Sequence, residues 1–300
     1  AERHALLYER AQLLTARLAR PDDAIPVLQG ILAEDPNHET ALLELIHAAE
    51  QARDFVTLAT TLSRALERPP EGTSRVELAE RLADVCEKEL RDVPRAISAL
   101  QAWAEIAHSD TAPHRRLRTL LGVAGRGREL LATLDALARL EPERALRVEA
   151  TLAAAELAAT RLADPEAAWQ RLVPLLGDAD AAVDAQLRAL ATQLKRLDAF
   201  YDLLEASGRH AMLVALLRER IAAEREASVR AVLLRRLART LTGVLDDDDG
   251  AAQAWSMLLE IAEDAEALQF LRMRALRTRD MEGVGDWLLS TGYAAQVKVA

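Results

Sequence analysis

The chain has one cysteine, three lysines and ten aromatic residues in 300. The single cysteine, Cys86, excludes an internal disulfide framework and any cysteine-rich zinc module, and it suits a reducing, cytoplasmic setting. Aromatics make up 3%, while Ala is about a fifth of the chain. Strand formers are therefore scarce, helix formers abound, and the expected class is all-α. No stretch reaches the roughly 18 uninterrupted apolar residues of a membrane span. Basic residues are in the minority, 38 Lys and Arg against 48 Asp and Glu for a net charge of −10; that balance disfavours nucleic acid and anionic lipid as partners. The chain opens at Ala1 with no basic segment followed by an apolar one, so it reads as a mature piece or as part of a longer protein.

What is present is a repeat. Ala24, Ala96 and Ala168 recur about 72 residues apart, the kind of fixed period that marks a repeat architecture. Each is followed by a large apolar residue (Ile25, Ile97, Trp169) and four positions later by a leucine (Leu28, Leu100, Leu172). Ala11, Ala83 and Ala155 keep the same spacing, and Leu45, Leu58, Leu62 and Pro70 recur as Leu117, Leu130, Leu134 and Pro142. A fourth copy is expected at Ala238 and at Ala254, Trp255 and Leu258. It is displaced by an insertion of about 11 residues, three turns of helix, near 195–208 and by a second, about three long, in the acid run Asp246 to Asp249. Four units follow, at about 5–76, 77–148, 149–231 and 232–293, with a tail at 294–300. Within each, apolar residues fall at i, i+3, i+4 and i+7, and turn residues punctuate them every 15 to 20 positions, which predicts four helices in two antiparallel hairpins.

The first unit divides again near its middle, where Ala24, Leu28, Ile31 and Pro36 correspond to Leu58, Leu62, Ala65 and Pro70. Tyr8, Ala24, Leu28, Ile31 and the closing Glu34 to His38 resemble the tetratricopeptide (TPR) pattern, strongly over residues 5–70, moderately over 77–175 and weakly beyond about 180. Gln12 and Ala11 depart from it where the family carries a glycine and a leucine. The resemblance implies an α-solenoid, a right-handed stack of about eight hairpins over residues 1–300. One hairpin cannot bury its apolar face alone, so neighbours stack into a continuous core. The last hairpin is cut short after Trp287, which suggests that the protein continues.

Little in the chain carries chemistry. Six histidines form no metal-ligand spacing; His108 and His114, flanking Pro113, come nearest. Asp246 to Asp249 fails as a calcium loop, since Leu245 and Ser256 stand where carboxylates are required. With Asp22, Asp92 and Asp164 in the matching turns, helix caps are the expectation. Cys86 lies among Leu82, Val85 and Leu90 as a core residue, and the glycines near Arg126 belong to a helix-helix turn. Two arginine clusters, one around Arg115, Arg116, Arg118, Arg126 and Arg128, the other at Arg272, Arg274, Arg277 and Arg279, are expected to be solvated or paired internally, with a site for an acidic peptide or a phosphorylated partner as the lesser alternative. Trp103, Trp169 and Trp255 occupy packing columns; Trp287 is left open to a surface role.

No cofactor, metal site or catalytic group is expected. A non-enzymatic scaffold that binds another protein or peptide on its concave face, as a monomer or weak homo-oligomer, is the leading reading. Carrying the inner-face positions of the TPR pattern over implicates Glu9, Arg17, Leu43, His47, Glu50, Arg81, Lys88 and Arg115, with Leu13 and Val85 between them. The family's clamp for a C-terminal carboxylate is absent, because Glu9, Leu13, Leu43 and His47 fill its positions. Phe200 and Tyr201, in the insertion, are either a further partner contact or local core. A self-association segment of a larger protein is the alternative class. An enzyme or small-ligand sensor would need polar groups converging from several helices, and the sequence offers none.

Overall fold

The computed structural model describes residues 2–178 and 180–278. Among these there are sixteen α-helices and no strand. Two compact units divide the chain, residues 1–172 and 173–300. The first contains α1 (Glu2–Gln12, prolonged by a π-helical turn, Leu13–Arg17), α2 (Pro21–Glu34), α3 (Glu39–Ala52), α4 (Phe55–Glu67), α5 (Arg75–Asp84, prolonged likewise by Val85–Glu89), α6 (Val93–Ile106), α7 (Ala112–Val123), α8 (Gly127–Leu140), α9 (Arg144–Thr160) and α10 (Pro165–Leu172). The second opens with a 3-10 turn, Val173–Asp178, and continues through α11 (Ala181–Gln193), α12 (Leu197–Ala206), α13 (His210–Ala223), α14 (Ala227–Gly243), α15 (Asp248–Leu259) and α16 (Ala265–Thr278). Trp287, Arg279 and the tail lie outside the described residues.

Local chemistry sets the helix ends. Asp54, Ser74, Asp92, Asp164 and Asp247 accept a backbone N–H from the third residue onward, satisfying donors that a helix N-terminus leaves open. The expected cap role of Asp22 needs correcting: α2 starts at Pro21, after Arg20, and Asp22 sits inside its first turn. There its charge complements the dipole without capping.

The period is written in the turns as well as in the core. Left-handed backbone at Ala19, Arg91 and Ala163 recurs once per repeat, and Arg53 and Gly125 stand at the same interval. An unbroken repeat would place the fourth of the first set at Arg235, and the structure places it at Asp246. The whole excess therefore lies before Asp246, and none of it falls in the acid run. Asp247 caps α15 directly after this turn, as Asp92 follows Arg91, and the N–H of Ala251 donates to its carbonyl as that of Ala96 does to Asp92. Ala251 thus takes the place expected of Ala254, and Trp255 falls in the column of Leu28, Leu100 and Leu172.

The excess is one extra helix. Between the left-handed turns at Lys195 and Gly208 stands α12, which buries Phe200, Tyr201 and Leu204. Its effect shows in the polar rungs between alternate helices. In the first unit these join α3 to α5 (Glu50 to Arg81, 3.0 Å), α5 to α7 (Glu87 to Arg116, 2.7 Å) and α7 to α9 (Glu149 to Arg118, 3.3 Å). On the opposite layer they join α6 to α8 (Gln101 to Glu129, 2.9 Å) and α8 to α10 (Asp135 to Arg171, 2.8 Å). In the second unit Arg188 pairs with Glu219 across α11 and α13, Arg236 with Glu205 across α12 and α14, and Arg239 with Glu266 across α14 and α16. Helices α3, α5, α7 and α9, the first and third of each repeat, thus share a layer. Past α12 the parity shifts: α14, the counterpart of α5 and α9, lies in the layer opposite α11, the counterpart of α3 and α7.

Ala24, Ala96 and Ala168 are fully buried. Ala96→Trp is expected to overpack the contact between α5 and α6 and to cost roughly 1–3 kcal/mol or more, read from chemical denaturation. An unchanged midpoint would contradict the column alignment.

Candidate functional site

Helix α3 buries Ala41, Leu42, Leu45, Ile46, Ala48 and Ala49 and leaves Leu43, His47 and Glu50 exposed at i, i+4 and i+7, one face of a helix. Its N-terminus is capped by an imidazole, His38 Nδ1 accepting from the N–H of Ala41 at 3.2 Å. That bond requires His38 to be unprotonated at Nδ1. Helix α5 follows the Gly72 to Ser74 turn, where φ of 77° at Gly72 calls for glycine. It places Glu77, Leu78 and Arg81 opposite α3. The two helices enclose a groove of about 280 Å³ with Leu43, Ile46 and Leu78 as its apolar lining. Arg81 and Glu50 bridge it at 3.0 Å, and His47 Nε2 lies 2.9 Å from the Gln51 amide nitrogen.

Of the inner-face residues implied by the TPR pattern, four converge here: Leu43, His47, Glu50 and Arg81. Glu9 and Arg17 stand exposed on α1 and its π turn, outside the groove. Lys88 is bound to Asp84 one turn earlier at 2.8 Å. Arg115 is committed elsewhere, holding the buried Glu141 through two hydrogen bonds of 2.7 and 2.5 Å at the end of α8. Phe200 and Tyr201 offer no contact surface: both are buried, the Tyr201 ring lying 5.7 Å from the guanidinium of Arg220 and equally far from that of Arg236. The reading of them as local core is the one their burial fits, since an aromatic pair in a short helix is its main means of anchoring. Sequence reasoning missed Ile46, Glu77 and Leu78. The signal for Glu77 was there, a serine three positions ahead of it that opens α5.

The other reactive groups are held in the framework. Cys86 is buried, and burial pushes its thiol up, away from the nucleophilic form. Burial lowers His114, whose Nδ1 has no hydrogen-bond partner among the described residues, while His108 is exposed. Asp248 and Asp249 pair with Arg277 and Arg274, and Arg116 with Asp84 and Glu87, which disposes of most of both arginine clusters. Among the described residues no helix is long and apolar enough to cross a membrane.

Several carboxyls are held below their ordinary range: Glu141 chiefly by hydrogen bonds from Arg115, Glu129 by those from Arg126, and Asp54 by Thr57 at the α4 cap. A depressed folded value means that the stabilisation is complete above the unfolded carboxylate range and is lost as pH falls towards the folded value. The melting temperature is therefore expected to fall below about pH 5. Glu141→Gln should flatten that dependence in a thermal series across pH.

No protein-family model matches the chain, and no curated protein does. Solved structures do resemble it. A tetratricopeptide repeat protein from Parabacteroides merdae is 13% identical, with 91% of this chain and 98% of that one covered and a TM-score of 0.33. The P58(IPK) TPR domain is 16% identical over 99% of this chain and 89% of its own, TM-score 0.30. The Naa15/Naa10 complex bound to HypK-THB is 15% identical over 94% and 52%, TM-score 0.42. Similarity at this level is slight, and the class rests on the molecule's own hairpins. Paired helices punctuated by a left-handed turn once per pair, as at Ala19, Arg53 and Arg91, and stacked through alternate-helix rungs define a helical-repeat array. The fold is that of a helical-repeat array, the architecture that the tetratricopeptide resemblance of the sequence implies.

Proposed function

We propose that the protein is a non-enzymatic scaffold that takes a peptide or helix of another protein into the groove between α3 and α5. The observation that carries this reading is the groove itself: Leu43 supplies exposed apolar surface above a floor formed by the buried Ile46 and Leu78, and Glu50, Arg81, His47 and Glu77 form a polar margin that can exchange its own pairing for a partner's. Apolar contact flanked by charged groups suits recognition of an extended or helical segment. A nucleic acid is a poor fit to a chain of net charge −10, with Arg115, Arg116 and Arg118 already facing carboxylates. A reducing, cytoplasmic setting accords with a lone buried thiol.

The test is affinity capture from the source cells with the wild-type chain, Leu43→Glu and Arg81→Glu, each checked by circular dichroism for retained helix. A partner bound by the wild type and lost from both variants supports the groove. Undiminished capture by folded variants places binding elsewhere.

A further inference from the structure

The outward face of α4 differs from the rest of the first unit. From Phe55 to Ser63 the helix carries no charge, in a chain with 29% charged residues. Val56 is 61% exposed on it. The hydroxyls of Thr60, Thr61 and Ser63 donate to the carbonyls four residues back, at 2.9, 2.7 and 2.8 Å. Their donors are spent within the helix; Thr61 is buried, and Thr60 and Ser63 present methyl and methylene groups outward. Grooves of about 330 and 490 Å³ flank the helix, and Thr60 stands on the ridge that both share. Two charges bracket the strip, Arg53 in the turn before α4 and Glu67 at its last position. Both are exposed, and neither side chain has a hydrogen bond or ion pair among the described residues. Thr60 stands midway between them in the sequence.

That symmetry chooses the occupant. We propose that α4 is the contact of a homodimer, in which a second copy lays its own α4 antiparallel across the first with the twofold axis at Thr60. An isologous interface must complement itself. Antiparallel pairing brings Arg53 to Glu67 of the partner subunit, and the reverse, at both ends, while a parallel arrangement opposes like charges. Between the ends the uncharged stretch from Phe55 to Ser63 meets itself, while Arg64, one turn past Thr60, is turned back to donate to the carbonyls of Leu32 and Pro36, and the small side chains at Thr57, Thr60 and Ser63 allow close helix approach, each ridge entering the other copy's grooves. The wider groove also carries Arg75 and Arg95 at its margin, the latter held by Asp92 at 3.4 Å. This contact lies on α4, away from the groove between α3 and α5, so the two proposals stand or fall separately.

The test is light scattering of the full chain over a concentration series. The wild type should dimerise reversibly. Arg53→Glu and Glu67→Arg should each raise the dimer dissociation constant about tenfold or more, and the double variant, with the charges exchanged, should restore it. Thr60→Cys adds a thiol at the axis, Cys86 being buried, and should give a disulfide-linked dimer under mild oxidation where Gln170→Cys, exposed on α10, does not. A wild type that stays monomeric at its highest soluble concentration overturns the proposal. So does a dimer indifferent to both charge reversals, or one in which Thr60→Cys links no faster than Gln170→Cys.

Discussion

Phe200→Ala is expected to cost the second compact unit about 3–5 kcal/mol. The ring is fully buried on α12, and Leu204 on the same helix and Leu213 on α13 are equally inaccessible. A ten-residue helix has too little surface to be held by its own propensity. Its place depends on Phe200, Tyr201 and Leu204, so a cavity here removes a large part of what fixes α12. Phe200→Leu keeps most of the volume and should cost under about 1.5 kcal/mol. With Trp103 and Trp169 replaced by phenylalanine, the remaining tryptophans, Trp255 and Trp287, both follow residue 172, so fluorescence during urea unfolding reports the second unit. Equal midpoints for Phe200→Ala and its parent would show that α12 is not anchored as described.

The second large effect is expected at Asp184. Its carboxylate, on α11, pairs with the Arg209 guanidinium just ahead of α13, which also donates to the Leu176 carbonyl at 3.2 Å. The side chains are only 12% and 17% exposed. Asp184→Ala strands a nearly buried cation and should destabilise by about 3 kcal/mol. Removing both partners together, as Asp184→Leu with Arg209→Met, should cost much less, because no uncompensated charge then remains. The difference between single and double variants in the same denaturation assay is the readout. Similar losses from both would mean that packing, and not charge pairing, governs the site. By contrast, the exposed Glu50 to Arg81 bridge is expected to be worth at most about 1 kcal/mol to folding, which leaves its residues free to serve a partner.

The residues that proved hardest to place from sequence failed for identifiable reasons. The sequence alone puts Trp255 in the column of Trp169 because apolar positions on a helix recur every three or four residues, so a shift of three leaves the pattern intact. The left-handed turn at Asp246 and the cap at Asp247 resolve it, because only one register satisfies them. Phe200 and Tyr201 stood out as an aromatic pair in an insertion, and their sequence is equally compatible with a docking ledge or a core. Burial decides between them. Arg115 matched an inner-face position, yet its partner Glu141 lies 26 residues away, beyond the reach of any local pattern.

The sequence alone determined the all-helical class, the repeat period and the hairpin as the building unit. These follow from composition, apolar periodicity and turn residues, all of which act over a few turns of chain. Tertiary structure alone decided which helices share a layer. Ala11, Ala83, Ala155 and Ala238 are all buried, yet α12 counts as one helix more, and alternate packing sends α14 to the layer opposite α11. A hairpin stack reads helices by parity, which no residue encodes. It also decided that Leu43, His47, Glu50 and Arg81 form one groove, because that depends on how closely α5 packs beside α3, and packing distance is set by side chains from both.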